Sequence, residues 1–370
     1  MTQLTVLFAP DSFKGSLTSV EVARALSEGW ARARPGDRLL LSPLADGGEG
    51  TLVAIEAAGG WRWCESEATG PLRFPVRARW LVSDDGGRAA IEMATASGLS
   101  LVPAERREPM AATTFGTGQL IRAALGAGVS SIVLGIGGSA TTDGGWGALE
   151  ALGARGVEDE IELDDLDPRL GSVDLAVACD VSNPLLGPRG AAATYGPQKG
   201  ATAAQVAELD AKLEAYAEGL ERVARRRERE TAGAGAAGGL GFGLLAIQDR
   251  FRSFALRPGV ELVMDATDFA GKLAQADIVV TGEGRIDEQT AYGKTAQGVA
   301  RRAAEAGVSV IAVGGGVTPE GVDALRPLGA VVVPVAEHPG SIEEAMDAGA
   351  DPVARCGERI AALVSVGERR

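Results

Sequence analysis

The chain has 370 residues, and 36 basic against 50 acidic side chains give it a formal charge of −14, which argues against a nucleic-acid binder or a protein that coats anionic membranes. At roughly 100–200 residues per domain two domains are expected, and 45% hydrophobic with 23% charged residues is ordinary for a soluble globular protein. Glycine, at 52 residues, is about twice its usual share and follows no fixed period, so these glycines belong to turns and ligand loops.

The first predicted strand is LTVLFA (4–9), followed by the turn PDSFKGS. Thr18 opens a helix, with Glu21 three residues on completing a capping box and Val20, Ala23, Leu26 and Trp30 at helical spacing. A second strand, 38–42, leads into PLADGGEGT and a helix running to about Ala58, so the chain begins with two βα units. Residues 61–94 change character: WRWCESEA, FPVRARWLV and RAAIEMA are short strands, and SDDGGR is a hairpin signature that makes this piece antiparallel. A helix near 116–127 precedes the strand SIVLGI (131–136) and the turn GGSATTDGG. DLAVACD (174–180) is a buried strand ending in a carboxylate. Thr202 and Gln205 form a capping box for a long helix over 202–230, whose tail RVARRRERE reads as a solvated face, and GAGAAGGLGFG (233–243) is a glycine tract.

The last hundred residues return to βα alternation, with apolar strands at 276–284, 308–316 and 329–337. Alternation of this kind means a parallel sheet covered on both faces. The expected fold is therefore α/β with two α/β domains: a five-stranded, flavodoxin- or Rossmann-like parallel sheet built from both termini (1–65 plus 273–370), and an inserted mixed α/β domain (66–272). Ligands of open α/β sheets sit outside the carboxyl ends of the strands, which puts the expected active site in a cleft between the two domains.

Three widely spaced cysteines (Cys64, Cys179, Cys356) form neither a disulfide framework nor a zinc spacing. MTQLTVLFAP shows no signal peptide, and no apolar run approaches the ~18 residues of a membrane span; a cytoplasmic location is expected. The single histidine, His338, follows a strand in PVAEHPG and reads as a surface-loop residue, which removes Ser-His-Asp, Cys-His and multi-histidine metal machinery. Arginine outnumbers lysine 31 to 5, yet Lys14, Lys199 and Lys294 all sit beside glycine in loops. A compact ammonium beside bare backbone suits phosphate.

GIGGSA (135–140) and GAGAAG (233–238) match dinucleotide-binding glycine patterns but lack the acidic residue at the end of a following strand. AYGKT lacks the first glycine of a phosphate-binding P-loop, because position 288 is Glu288. What remains is a set of loops mixing glycine, hydroxyls, carboxylates and lysine. Glycine amides cradle phosphates, and paired carboxylates suit Mg²⁺. A further carboxylate can take the acceptor's proton, so phosphoryl transfer is the leading chemistry.

The segments APDSFKGSLTSVEVA, PLADGGEGT, IEMATASGL, ATTFGTGQLI, LGIGGSATTDGG, ACDVSNPLLG, TYGPQKGA, GAGAAGGLG and TGEGRIDEQTAYGKTAQGVA, in this order, resemble the glycerate kinases of the glycerate 2-kinase family, from residue 4 to beyond 310. Thr142 stands where that pattern expects Asn, and 155–173 looks short. The resemblance implies ATP-dependent, Mg²⁺-assisted phosphorylation of D-glycerate, mostly to 2-phosphoglycerate. It implies small-molecule substrates, glycerate and ATP, with no nucleic-acid or membrane partner; the sequence leaves monomer and homodimer open.

Within it, Lys14 with Ser12 should meet an anion, either the glycerate carboxylate or a phosphate. Lys199 and Lys294 are the other cations for the transferring group. Asp180, beside Asn183, is the first choice of base and Asp287 the second. Asp46, Glu49 and Glu283 are candidates for Mg²⁺, although Asp46 could equally be a turn residue capping the next helix. Gly137, Gly138 and Ser139, with Gly235 and Gly238, are candidates for the nucleotide phosphates. The alternatives are a kinase of another small hydroxy acid, or a non-catalytic regulator that binds a sugar acid or nucleotide on the same scaffold.

Overall fold

Each apolar run read above becomes a strand in the computed structural model, which describes residues 2–156, 160–292, 295–338 and 340–367. Among the described residues the strands are β1 (Thr5–Phe8), β2 (Arg38–Leu41), β3 (Trp61–Thr69), β4 (Pro75–Ser83), β5 (Arg88–Glu92), β6 (Ser131–Gly135), β7 (Asp174–Ala178), β8 (Ser253–Arg257), β9 (Ile278–Ile286), β10 (Ser309–Val317) and β11 (Val331–Pro334). β8 has no counterpart in the sequence reading. It is an edge strand, only partly buried, so SFALR carries too weak an apolar signal to announce itself.

The chain divides into two compact units. Unit 1 comprises Met1–Asp46, Val53–Gly59 and Val260–Arg370; unit 2 comprises Gly47–Leu52 and Gly60–Gly259. The sheet of unit 1 is five-stranded and parallel throughout, in the order β11-β10-β9-β1-β2. Both ends of the chain thus contribute to one sheet, as expected from the alternation. Its core gathers Val6, Phe8, Trp30, Val280, Val313 and Ile360, with Phe8 edge-on to Trp30 at 5.9 Å.

Local chemistry sets the helix that follows β1. The Thr18 hydroxyl accepts the Glu21 amide (3.2 Å) while the Glu21 carboxylate accepts the Thr18 amide (2.8 Å), and Ser19–Ala33 is helical from that capping box onward. At its end the Arg34 guanidinium is 2% exposed and pairs with Asp37 at 2.6 Å. Burial alone would raise the Asp37 carboxyl, but Arg34, the Trp30 indole N–H and the Leu4 amide outweigh it and hold it below its ordinary value. Arg34 also donates to Ser365 Oγ (3.2 Å), which ties the first helix to the C-terminal helix Asp351–Gly367.

Unit 2 holds a six-stranded mixed sheet in the order β3-β4-β5-β6-β7-β8. β3, β4 and β5 are antiparallel neighbours, joined at β4–β5 by the expected hairpin, where Asp85 accepts from the Ser83 hydroxyl (2.5 Å) and the Gly87 amide (3.0 Å). β5 is also parallel to β6, and the sheet stays parallel through β8. Trp80, Ile91, Leu120, Leu134, Val177 and Phe242 lie in the core of this unit.

The long helix opens at its capping box on Thr202 but covers only Ala203–Ala224, not the expected 202–230. Arg225 adopts a left-handed φ of 56° and the chain folds back. The physical reason is Glu221: its carboxylate accepts the amides of Glu228 (2.9 Å) and Arg229 (3.0 Å) and the Arg229 guanidinium (2.9 Å). Burial opposes ionisation of Glu221, but these donors win and lower its pKa. The charge run is therefore a helix stop rather than a solvated helical face. His338 is exposed just beyond β11, the three cysteines are free, and among the described residues no helix is long and apolar enough to cross a membrane.

Candidate functional site

In unit 1 the polar residues gather where β1 and β9 end. Pairing continues past β1: the Ala9 amide donates to Val280 O and the Asp11 amide to Gly282 O, both at 2.8 Å, while the Thr281 hydroxyl donates to Ala9 O. This fixes Asp11 at the carboxyl end of the strand, where ligands of parallel sheets bind. Its carboxylate accepts the Ser12 amide and the Thr295 hydroxyl, each at 2.6 Å. Burial pushes the Asp11 pKa up and neighbouring Asp46 adds to that, against the opposing pull of Thr295, the Ser12 amide and Lys14. Lys14 is 84% exposed, with Nζ 3.7 Å from Asp46 Oδ2. Such a loose, solvated pair contributes little to stability and leaves the ammonium free to turn toward an anion.

The end of β9 carries a second group. Glu283 is buried and accepts the Thr290 hydroxyl at 2.8 Å; the same hydroxyl accepts the Asp287 amide at 3.1 Å. Asp287 pairs with Arg285 (3.1 Å) and accepts the Gln289 amide (3.0 Å).

In unit 2 the loop Gly47–Leu52 lies against the carboxyl ends of the parallel strands. A Cβ on Gly135 or Gly137 would stand 2.6 Å from Gly47 O or Gly48 Cα respectively, so only bare backbone lets these two loops approach. Glu92, the last residue of β5, accepts the Leu52 amide at 2.7 Å, and the amides of Thr51 and Gly50 also favour its charge. Burial nevertheless dominates, and with Glu49 nearby it raises the Glu92 pKa to about 7. Gly138 and Ala140 are bonded to the segment after β5, through Leu99 N to Gly138 O (2.8 Å) and Ala140 N to Ser97 O (2.9 Å), with Ser139 buried between them. Asp180, just past β7, is exposed and accepts the Gly259 amide at 3.0 Å. Asn183 is held by its neighbours: Nδ2 donates to Arg189 O (2.8 Å) and Oδ1 accepts the Tyr195 hydroxyl (2.8 Å).

The remaining part of the Gly137–Gly145 loop is built around two charged groups, Asp143, which is half-buried, and Lys199, which is buried. Asp143 accepts four hydrogen bonds: the Thr114 amide and hydroxyl at 2.8 Å each, and the Gly145 and Gly147 amides at 3.2 Å each. Lys199 is 1% exposed and its Nζ donates to Thr141 O at 2.5 Å. Burial lowers the Lys199 pKa to about 7 although Asp143 opposes the shift. Gly235 and Gly238 are buried, and a side chain on either would strike backbone, at Pro184 O and Thr141 O respectively.

The structure thus brings together Lys14, Ser12 and Asp46 within unit 1, and separately Glu283 and Asp287. In unit 2 it gathers Glu49, Gly137, Gly138 and Ser139 about the strand ends, with Asp180 and Asn183 following β7. Lys294 lies outside the described residues. Sequence reasoning passed over Asp11, Glu92 and Asp143. Asp11 and Glu92 carry the signal that singled out Asp180, a carboxylate at the end of a buried strand. Asp143 sat inside a loop chosen for its glycines.

Among the described residues, no three histidine, cysteine or carboxylate side chains converge into a ready cation cage. Mg²⁺ rarely needs one: it keeps waters and takes one or two carboxylates together with substrate phosphates. The donor set here, hard oxygens beside exposed lysine and glycine amides, fits that mode.

Comparison with known proteins agrees in one direction. A family model described as the glycerate kinase family matches residues 6–365. The chain is 42% identical over 388 aligned positions to a glycerate kinase of Bacillus subtilis (strain 168), and 41% identical over 389 to a glycerate 2-kinase of Escherichia coli (strain K12); each alignment covers 99% of both chains. The fold is similar to a crystal structure, provisionally named glycerate kinase 2, from Salmonella typhimurium LT2, with a TM-score of 0.87, 42% identity and full coverage of both chains.

Proposed function

This chain belongs to the glycerate kinase family, and on that footing we propose that it transfers the γ-phosphoryl group of ATP to the 2-hydroxyl of D-glycerate, giving 2-phospho-D-glycerate and ADP. The observation that carries the reading is similarity along nearly the whole chain to proteins named for glycerate phosphorylation, one of them for the 2-position. The chemistry of the strand-end loops supports it, and the cytoplasm is the compartment that suits three free thiols.

Phosphoryl transfer asks the protein mainly for position and charge. In unit 1, Lys14 and the Ser12 hydroxyl are assigned to an anion, the glycerate carboxylate or a phosphate; Lys294 is assigned to the transferring group. In unit 2, the amides of Gly137 and Gly138 with Ser139 are assigned to the nucleotide phosphates. Asp180 is the base facing the acceptor hydroxyl and Asp287 its substitute. In a loose transition state the proton leaves late, so the base works by proximity more than by basicity. Mg²⁺, when bound, would neutralise charge on the phosphates; Asp46, Glu49 and Glu283 are its candidate ligands, directly or through water.

A ³¹P NMR time course with ATP, Mg²⁺ and D-glycerate tests the reading. A growing phosphomonoester doublet is expected, from coupling to the single proton at C2. A triplet would move the product to the 3-position. Intact ATP with glycerate but turnover with another hydroxy acid would change the substrate.

A further inference from the structure

The Gly137–Gly145 loop ends in a part that no role above uses. Thr141 O is held by Lys199 Nζ, Asp143 holds the Gly145 and Gly147 amides, and the Gly144 amide donates to Gly238 O at 3.0 Å. The Thr114 hydroxyl that donates to Asp143 also accepts the Ala148 amide at 2.9 Å, linking this corner to the helix Trp146–Ala151. Tyr216 packs edge-on against both Trp146 and Phe242, at 5.9 Å each, with its hydroxyl in the field of Asp143. Among the described residues, the hydroxyls of Thr141, Thr142 and Tyr216 are buried without a hydrogen-bond partner. Arg107 flanks the Lys199 turn, donating to Gln198 O at 3.1 Å.

A cation that reaches a transferring phosphoryl group needs an open approach. Lys199 has none: its ammonium is enclosed, and the group it touches is the loop's own backbone. We infer that Lys199 is a positioning residue: from inside unit 2 it holds the Thr141 carbonyl, and so fixes the conformation of the loop that presents Gly137, Gly138 and Ser139 to the nucleotide. The inference rests on the nucleotide reading of that loop. Removing the ammonium leaves a buried carbonyl without its donor, costly enough to make the loop rearrange, and takes away a positive charge whose field reaches the half-buried Asp143 carboxylate. Phosphate-binding amides tolerate only about 0.5 Å of displacement, so the loss should fall on nucleotide binding.

Lys199→Met, Lys199→Met with Asp143→Asn, and the surface control Lys212→Met are compared by steady-state kinetics and by hydrogen exchange of loop amides. Lys199→Met should raise KM for ATP about tenfold or more, leave KM for glycerate within about twofold, and lower kcat less than it raises KM, the pattern of lost ground-state binding. Exchange at Gly144, Gly145 and Gly147 should speed up about tenfold or more. Adding Asp143→Asn should recover part of the ATP affinity, since it removes the stranded charge. A kcat loss beyond about 10²-fold with unchanged KM and unchanged exchange would overturn the inference and return Lys199 to the reacting group. No effect on either readout would overturn it too. Should the methionine variant fail to fold, Lys199→Gln, which keeps a donor for Thr141 O, should hold KM for ATP and loop exchange near those of the unmodified protein, and a kcat loss beyond about 10²-fold in that variant would overturn the inference. The underlying reading fails separately: saturating ADP must slow exchange across 137–140 in the unmodified protein, and no protection there would remove the nucleotide from this loop whatever Lys199 does.

Discussion

Lys14 and Lys199 stand in loops of similar composition, each followed by glycine, one in each unit. Their surroundings are opposite. Lys14 is 84% exposed, 3.7 Å from a partly exposed carboxylate; Lys199 is 1% exposed and bonded to a backbone carbonyl. Water around Lys14 screens its pair with Asp46, so that side chain can be redirected to a substrate at small cost. Low polarity around Lys199 strengthens each interaction it makes and penalises the charge itself. One local signature therefore serves two purposes: an available cation, and a buried fastening for a loop.

The largest effect expected to break this contrast is on turnover. Lys14→Ala should lower kcat by at least about 10²-fold, as loss of a charge that stabilises the transition state does, with an unchanged melting curve. Near-normal kcat in a folded protein would remove Lys14 from the machinery. Asp180→Asn should cost more than about 10² in kcat if it is the base; a small change moves that role to Asp287.

Stability against pH sharpens the contrast from the other side. A lysine whose folded pKa is lowered to about 7 contributes stability that is present above its unfolded value near 10.5 and lost as pH falls through about 7. The stability of the unmodified protein minus that of Lys199→Met should therefore rise between pH 7 and pH 10, by on the order of 1–4 kcal/mol. Denaturant titrations at several pH values would show it, and a flat difference would mean the ammonium is better solvated than its burial implies. The smallest effect belongs to Tyr216→Phe, which deletes a buried hydroxyl without a partner and should leave stability unchanged or raised by less than about 1 kcal/mol. A clear loss would reveal a bond to that hydroxyl.

Much of the architecture was legible because it rests on short-range patterns. Apolar runs alternating with helical spacing at both termini gave the parallel sheet of β1, β2, β9, β10 and β11. The capping boxes at Thr18 and Thr202 formed as read, because both partners lie within one turn. Legibility ended where a distant group intervened. The helix from Ala203 stops at Ala224 because Glu221 captures amides beyond it, and propensity alone would have carried it through the arginines.

The sequence by itself determined the fold class, the order of the loops that follow the strands, and through them the family. Turn and strand propensities act over a few residues and are written in those residues. Only the tertiary structure decided which charges are solvated and which enclosed: that Asp11 is a half-buried and Glu92 a buried acid at strand ends, that Asp143 gathers four donors, and that Lys199 faces inward. Burial depends on chain segments tens of residues apart, such as Thr114 with Asp143 and Thr141 with Lys199, and the electrostatics that govern the chemistry follow burial rather than residue type.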